Sequence, residues 1–159
     1  MPKARTDYDA VISAPFGRLG LRLTDGRLSE IDFLDARVPL RRPHDAATHR
    51  IARALHHYFK QPRRNLKLPL VLNGTEFQRR VWRALVRIPP GEVRQYGELA
   101  AALKSSPRAV GNACRANPIP VVVPCHRVVA RTGLGGFMGR EAGRAIQIKQ
   151  WLLAHERGE

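Results

Sequence analysis

The chain has 159 residues, 43% of them hydrophobic, enough for one compact domain or two small ones sharing a core. Its 28 Lys and Arg against 13 Asp and Glu leave a formal charge of +15, which nominates a polyanionic partner such as nucleic acid and leaves open a basic surface that serves solubility alone. No stretch approaches the roughly 20 apolar residues of a membrane span; the opening MPKARTDYDA lacks the apolar block of a secretion signal, so the expected location is the cytoplasm, with both cysteines reduced.

Residues 8–13, 19–24 and 27–34 are short apolar runs separated by Pro15-Phe16-Gly17 and by Asp25-Gly26, a strong hairpin signal. An antiparallel meander is expected there. Residues 48–61 carry Ile51, Leu55, Tyr58 and Phe59 at helical spacing and are closed by Pro62, so one helix should cover the sheet. Residues 62–74 read as a connection. The fold expected is α+β, with an N-terminal sheet-plus-helix domain over 1–68 and a mostly helical domain over 69–159.

Within the second half, Thr75 suits an N-cap for a helix reaching about Ile88, with Phe77, Val81, Trp82 and Leu85 on one face, stopped by Pro89-Pro90-Gly91. Residues 96–103, a tight Lys104-Ser105-Ser106 turn and a helix opened by Pro107 then suggest a helix-turn-helix. That last helix, PRAVGNACRAN, breaks local rules: Gly111 costs about 1 kcal/mol against Ala, and Arg108 puts a cation where the helix dipole prefers an anion. Its small residues permit either close packing on a neighbouring helix or close approach to a partner's groove.

The stretch VVVPCHRVVA places one of only two cysteines in an apolar, β-branched run. Zinc would need spaced donor pairs that Cys114, Cys125 and six scattered histidines do not offer, so no metal site is expected. An inert buried thiol and an activated nucleophile both remain open from the thiol itself. His126 beside it favours chemistry, because Pro124 disfavours a regular strand, which would point neighbouring side chains to opposite faces. In IQIKQWLLAHE, Ile148, Trp151, Leu152 and His155 should form the inward face of a helix, placing Glu156 at the edge of that face, where it can orient the histidine.

NPIPVVVPCHRVV, preceded by RAVGNACRAN and GEVRQYGELA and followed by WLLAHE, resembles the active-site region of the O6-alkylguanine-DNA alkyltransferases, the direct-reversal DNA repair proteins. The resemblance covers residues 75–156; the N-terminal half matches the ribonuclease-H-like domain of that family more loosely, and the C-terminal half its winged-helix-like domain. It implies that Cys125 is the alkyl acceptor, activated through a water by His126, with Glu156 orienting the imidazole. It also implies that Asn117 joins the helix-turn-helix to the acceptor segment, that Tyr96 assists nucleotide rotation and protonates the departing guanine, and that Arg108 fills the gap left in the duplex.

By the same resemblance, Gln95, Ser106, Gly111, Arg115 and Arg131 should face DNA in its minor groove, and Pro120, Val128, Phe137, Met138 and Cys114 should surround the base pocket. The implied partner is double-stranded DNA bound by a monomer, at the nucleoid if the source is bacterial; cooperative binding along DNA stays open. Phe137 stands where the family often has tyrosine, and Met138-Gly139-Arg140 replaces a more glycine-rich loop. The competing readings are a damage-binding relative without activity, which carries another residue in place of Cys125, a cysteine hydrolase and a plain helix-turn-helix regulator.

Overall fold

Positive φ at both Asp25 (52°) and Gly26 (77°) closes the tight hairpin expected at that dipeptide and sets the register of the sheet around it. The computed structural model describes residues 7–61, 63 and 66–159; Met1 to Thr6 and Pro62, the residue expected to end the first helix, lie outside it. Strands β1 (Ala10–Ala14), β2 (Gly17–Thr24) and β3 (Arg27–Leu34) form an antiparallel meander in that order, with a register shift at Arg22/Leu23. The first strand starts two residues later than the apolar pattern suggests. Ala10, Ile12, Leu19, Leu21, Leu28 and Ile31 of the sheet are buried in the core.

Helix α1 (Ala46–Lys60) covers that sheet. It begins two residues before the expected Thr48 because the Asp45 carboxylate accepts from Thr48 N at 2.7 Å, satisfying one of the orphan donors of a helix start. Ile51, Leu55 and Tyr58 are its buried stripe. Full burial of such a side chain is worth about 1.5–3 kcal/mol, before the entropy of ordering it is subtracted. Residues 69–71 then run along β3, with Leu28 N donating to Pro69 O and Val71 N to Leu28 O.

Thr75 caps α2 (Glu76–Val86), as the sequence suggests, Gln78 completes a capping box with it, and Trp82 Nε1 donates to Ala113 O at 2.8 Å, fixing α2 against the fourth helix. Helices α3 (Tyr96–Ala102) and α4 (Pro107–Arg115) make the helix-turn-helix. Its tight turn is a Schellman close: Ser105 N reaches Ala100 O at 2.8 Å, with Lys104 in the left-handed region at φ 55°. Ser106 caps α4 through Ala109 N at 3.1 Å.

Two two-residue strands, β4 (Arg94–Gln95) and β5 (Val128–Val129), pair in parallel and bring the start of α3 alongside the segment that follows Cys125. Helix α5 (Arg144–Glu156) ends the fold. One hydrophobic core runs through both halves, from Leu19 and Leu55 to Val110, Val123 and Leu152. The α+β class read from the sequence describes this architecture.

Candidate active site

The segment around Cys125 leaves regular structure twice before the cysteine. Val121 sits at φ 76°, a conformation that a β-branched side chain tolerates poorly, at a cost of about 1–3 kcal/mol. Asn117 holds the segment there: its Nδ2 donates to Val123 O at 2.8 Å and its Oδ1 accepts from Ile119 N at 2.9 Å. Pro118 O accepts from Ile31 N, tying the same loop to β3. After Pro124 the chain forms a 3-10 turn over Cys125–Arg127. Adjacent Cys and His therefore escape the opposite-face arrangement of a strand.

His126 is fully buried, and its Nε2 lies 2.9 Å from Glu156 Oε2. Burial on its own would raise the Glu156 carboxyl, but hydrogen bonds and charge from His126 and Arg127 outweigh it and hold the group well below the usual carboxylate range. Burial pushes the His126 imidazole down, against the pull of Glu156, so the ring is neutral. A neutral ring that donates Nε2–H to an ionised carboxylate keeps its lone pair on Nδ1, which is buried and meets no partner atom of the protein. That atom can accept a proton.

Burial pushes the Cys125 thiol up to about 11, although Asn117 and the Lys149 ammonium pull it back part of the way. The resting thiol is neutral. Lys149 is itself fully buried; its Nζ donates to the carbonyls of Val128 (2.7 Å), Leu134 (2.6 Å) and Gly136 (2.9 Å), and burial lowers it to about 8. Burial and the two nearby thiols raise the Tyr96 phenol to about 12, so it too keeps its proton. Cys114 is raised mainly by burial.

In front of the thiol lies a cavity of about 760 Å³. Of the residues expected at the site, Tyr96, Arg108, Gly111, Cys114, Arg115, Cys125, Phe137 and Met138 line it, while Asn117, His126 and Glu156 lie behind the cysteine. Pro120 and Val128, expected at the pocket, do not line it: both are buried in the segment behind, Val128 in the β4–β5 pair, and Ala130 beyond that strand forms the wall instead. Gln95, Ser106 and Arg131, expected to face DNA, are exposed and outside the cavity.

The rim is completed by a two-residue hairpin. Phe137 N donates to Arg140 O at 2.8 Å and Arg140 N to Phe137 O at 3.0 Å, with Met138 at φ 52° and Gly139 at φ 80° between them. Arg140 and Glu141 join the lining there.

The inward face of α5 also differs from expectation: Ile148, Lys149, Leu152, Leu153 and Glu156 are buried, and Glu156 lies inside rather than at the edge. Trp151 and His155 are half-buried, stacked at 4.6 Å, with Trp151 against Phe16 and Phe59.

Three polar residues of the site were not read from the sequence. Arg127 grips Glu156 with Nε (2.9 Å) and Nη2 (2.8 Å) and donates from Nη1 to Ile88 O. Tyr58 occupies a position that the periodicity marks as apolar, and Lys149 lies outside the inward face expected for α5. A lysine directly after Ile148 on a core-facing helix was the one signal available in advance.

A helix-turn-helix beside a cavity with arginines at its mouth and a buried cysteine in its lining suits a DNA-binding protein. Residues 76–158 match the DNA-binding domain model of 6-O-methylguanine DNA methyltransferase. The constitutive methylated-DNA–protein-cysteine methyltransferase of Bacillus subtilis is 38% identical over 162 aligned residues, covering 95% of this chain and 96% of that protein. A variant of the Mycobacterium tuberculosis O6-methylguanine methyltransferase superposes with TM-score 0.79 at 35% identity over 92% of this chain and 90% of that one. The Mycobacterium tuberculosis OGT in complex with DNA gives TM-score 0.76 at 34% identity, over 93% and 92% of the two chains. The chain belongs to the 6-O-methylguanine DNA methyltransferase family.

Proposed function

We propose that the protein repairs alkylated DNA by rotating an O6-alkylated guanine out of the duplex into the 760 Å³ cavity and taking the alkyl group onto Cys125. The family's activity, methyl transfer from DNA to a protein cysteine, is the activity of this chain, and DNA is its partner. Cys125 Sγ attacks the alkyl carbon as the carbon–O6 bond breaks. The thiol proton leaves toward His126 Nδ1 through a water, and Glu156 stabilises the imidazolium that results. Tyr96, which keeps its proton to about pH 12, supplies one to the departing guanine.

Atoms balance without any cofactor. The thioether is stable to water and thiols, so each molecule reacts once. Arg108, exposed at the cavity mouth in the first turn of α4, enters the space vacated by the base, and the small residues of α4 approach the minor groove. Gln95, Ser106, Arg115 and Arg131 contact the backbone around it. In this reading residues 69–159 carry DNA binding and acceptance, residues 1–68 support them, and the protein acts as a monomer. A damage-binding protein without activity is the alternative; it would have no use for the thiol and its base.

The observation that carries the proposal is His126 Nδ1, a buried nitrogen without a hydrogen-bond partner in the residue next to Cys125, one of the two cysteines that line the cavity. Incubation with duplex containing O6-methylguanine, followed by intact mass and peptide mapping, tests it. One added methyl confined to Cys125, saturating at one per protein, is expected. Repeated turnover, or an active preparation without adduct, overturns the reading.

A further inference from the structure

Tyr58 belongs to α1 of the N-terminal layer, yet its side chain ends inside the site. Its Oη donates to Glu156 Oε2 at 2.6 Å, the oxygen that also receives His126 Nε2–H at 2.9 Å and Arg127 Nη2–H at 2.8 Å. Arg127 Nε takes Oε1 at 2.9 Å. We propose that Tyr58 is a positioning residue for alkyl transfer: its hydroxyl fixes the Glu156 carboxylate and tempers its basicity, so that His126 stays neutral with Nδ1 open to the thiol proton. This inference rests on the roles given above to Cys125, His126 and Glu156.

The hydroxyl is held from several sides. The Tyr58 ring meets Phe59 (5.3 Å, 62°) and His155 (5.3 Å, 78°) edge-on, and His155 Nε2 lies 2.7 Å from the Tyr58 carbonyl. Burial, and then the Glu156 charge, raise the phenol far above its ordinary value, so it remains a donor throughout the working range. A carboxylate that accepts a bond from a neutral donor is a weaker base toward its other partners. With three donors on Oε2, removing one strengthens its hold on the rest, and the imidazolium is the species that gains.

The other charged groups around this pair stay in place when the hydroxyl alone is removed. Arg127 faces Glu156 and His126 from the 3-10 turn, its Nη1 held by Ile88 O after α2; Lys149 acts on His126 from α5; His155 faces Tyr58 rather than the carboxylate. The effect of Tyr58 is therefore separable. It is a shift in where His126 titrates, and a purely architectural tyrosine would not produce one.

The test is the single-turnover rate with free O6-benzylguanine from about pH 5 to pH 9, which bypasses DNA binding, together with the His126 imidazole nitrogen resonances by NMR. For Tyr58→Phe, the acidic limb of the rate and the His126 titration should both move up by about one pH unit, roughly a tenfold loss on that limb, with the alkaline plateau kept. A fluorotyrosine installed at position 58 keeps ring and hydroxyl but donates more strongly, and should move both the other way, which keeps the test valid if the phenylalanine variant folds poorly. Phe59→Leu loosens the same contact without touching Glu156 and should lower the melting temperature while leaving the limb in place. An unmoved limb and titration in both Tyr58 variants overturns the inference. If His126→Ala reacts as fast as wild type, the underlying reading has failed instead; if it is slow while the Tyr58 variants stay unshifted, only the role of Tyr58 falls.

Discussion

The two sides of Cys125 are built by opposite rules. Behind it, Tyr58, His126, Arg127, Lys149 and Glu156 are at most 5% exposed, and apart from His126 Nδ1 their polar side-chain atoms are engaged by neighbours. In front of it, Arg108, Arg115 and Arg140 stand exposed around an open cavity whose rim is glycine-rich. A buried charge must be matched atom by atom or it costs several kcal/mol, whereas a solvated cation is cheap to keep and cheap to exchange. In the proposed reaction, proton handling thus falls where geometry is over-determined, and recognition where side chains can adapt to a ligand. The difference yields a diagnostic: damage behind the thiol should slow every substrate alike, and damage in front should slow only duplex DNA.

The largest effect is expected from Cys125→Ala, which should fold, bind duplex and form no adduct with either duplex or free O6-benzylguanine by mass spectrometry. Next, Glu156→Gln should slow both substrates about a hundredfold, the scale of general-base assistance, in rapid-quench assays. It should also destabilise the fold by about 3–5 kcal/mol in urea melts, since Arg127 loses its counter-charge. A duplex-specific defect in this variant would erase the distinction between the two sides. Arg108→Ala should slow duplex repair about tenfold through a less favourable flipped state, leaving free O6-benzylguanine untouched. Equal losses on both would make Arg108 a structural residue.

Two smaller effects concern charge. The folded pKa of Glu156 lies below its unfolded value near 4.3, and that of His126 below its unfolded value near 6.5. In both cases the unfolded chain binds more protons over the intervening window, so stability rises with pH there and is lost on acidification, first below about 6.5 through His126 and then below about 4.3 through Glu156. Melting temperatures should fall accordingly, and Glu156→Gln should flatten the second step. Finally, Arg115→Ala should weaken duplex binding about equally for all sequences and reduce its salt slope by about one; an unchanged slope would place this arginine away from phosphate.

Much of the scaffold was legible in the sequence because its signals are local. Asp25-Gly26 names its turn, Thr75 names a helix start, and Pro124 disfavours a strand through Cys125 and His126. What escaped notice depends on partners far away in the chain. Tyr58 looks like one more apolar position in α1, and only the arrival of Glu156, 98 residues later, gives its hydroxyl a purpose. Lys149 is concealed in the same way, since three backbone carbonyls from the 128–136 region make burial of an ammonium tolerable. Pro120 and Val128 failed in the opposite sense. The family resemblance suggested the pocket, while a chain that turns sharply at Val121 and Pro124 sends them into the interior.

The hairpin from Phe137 to Arg140 closes on itself through its own two backbone bonds. Its base is pinned by Lys149 through Leu134 and Gly136, while its tip, Met138-Gly139, sits at the cavity rim with Met138 packed on the core edge. Such a piece behaves as an interchangeable aperture on a fixed reactor. Under the proposed function, changing length and side chains at the tip should alter which adducts enter, while the groups behind Cys125 are left as they were.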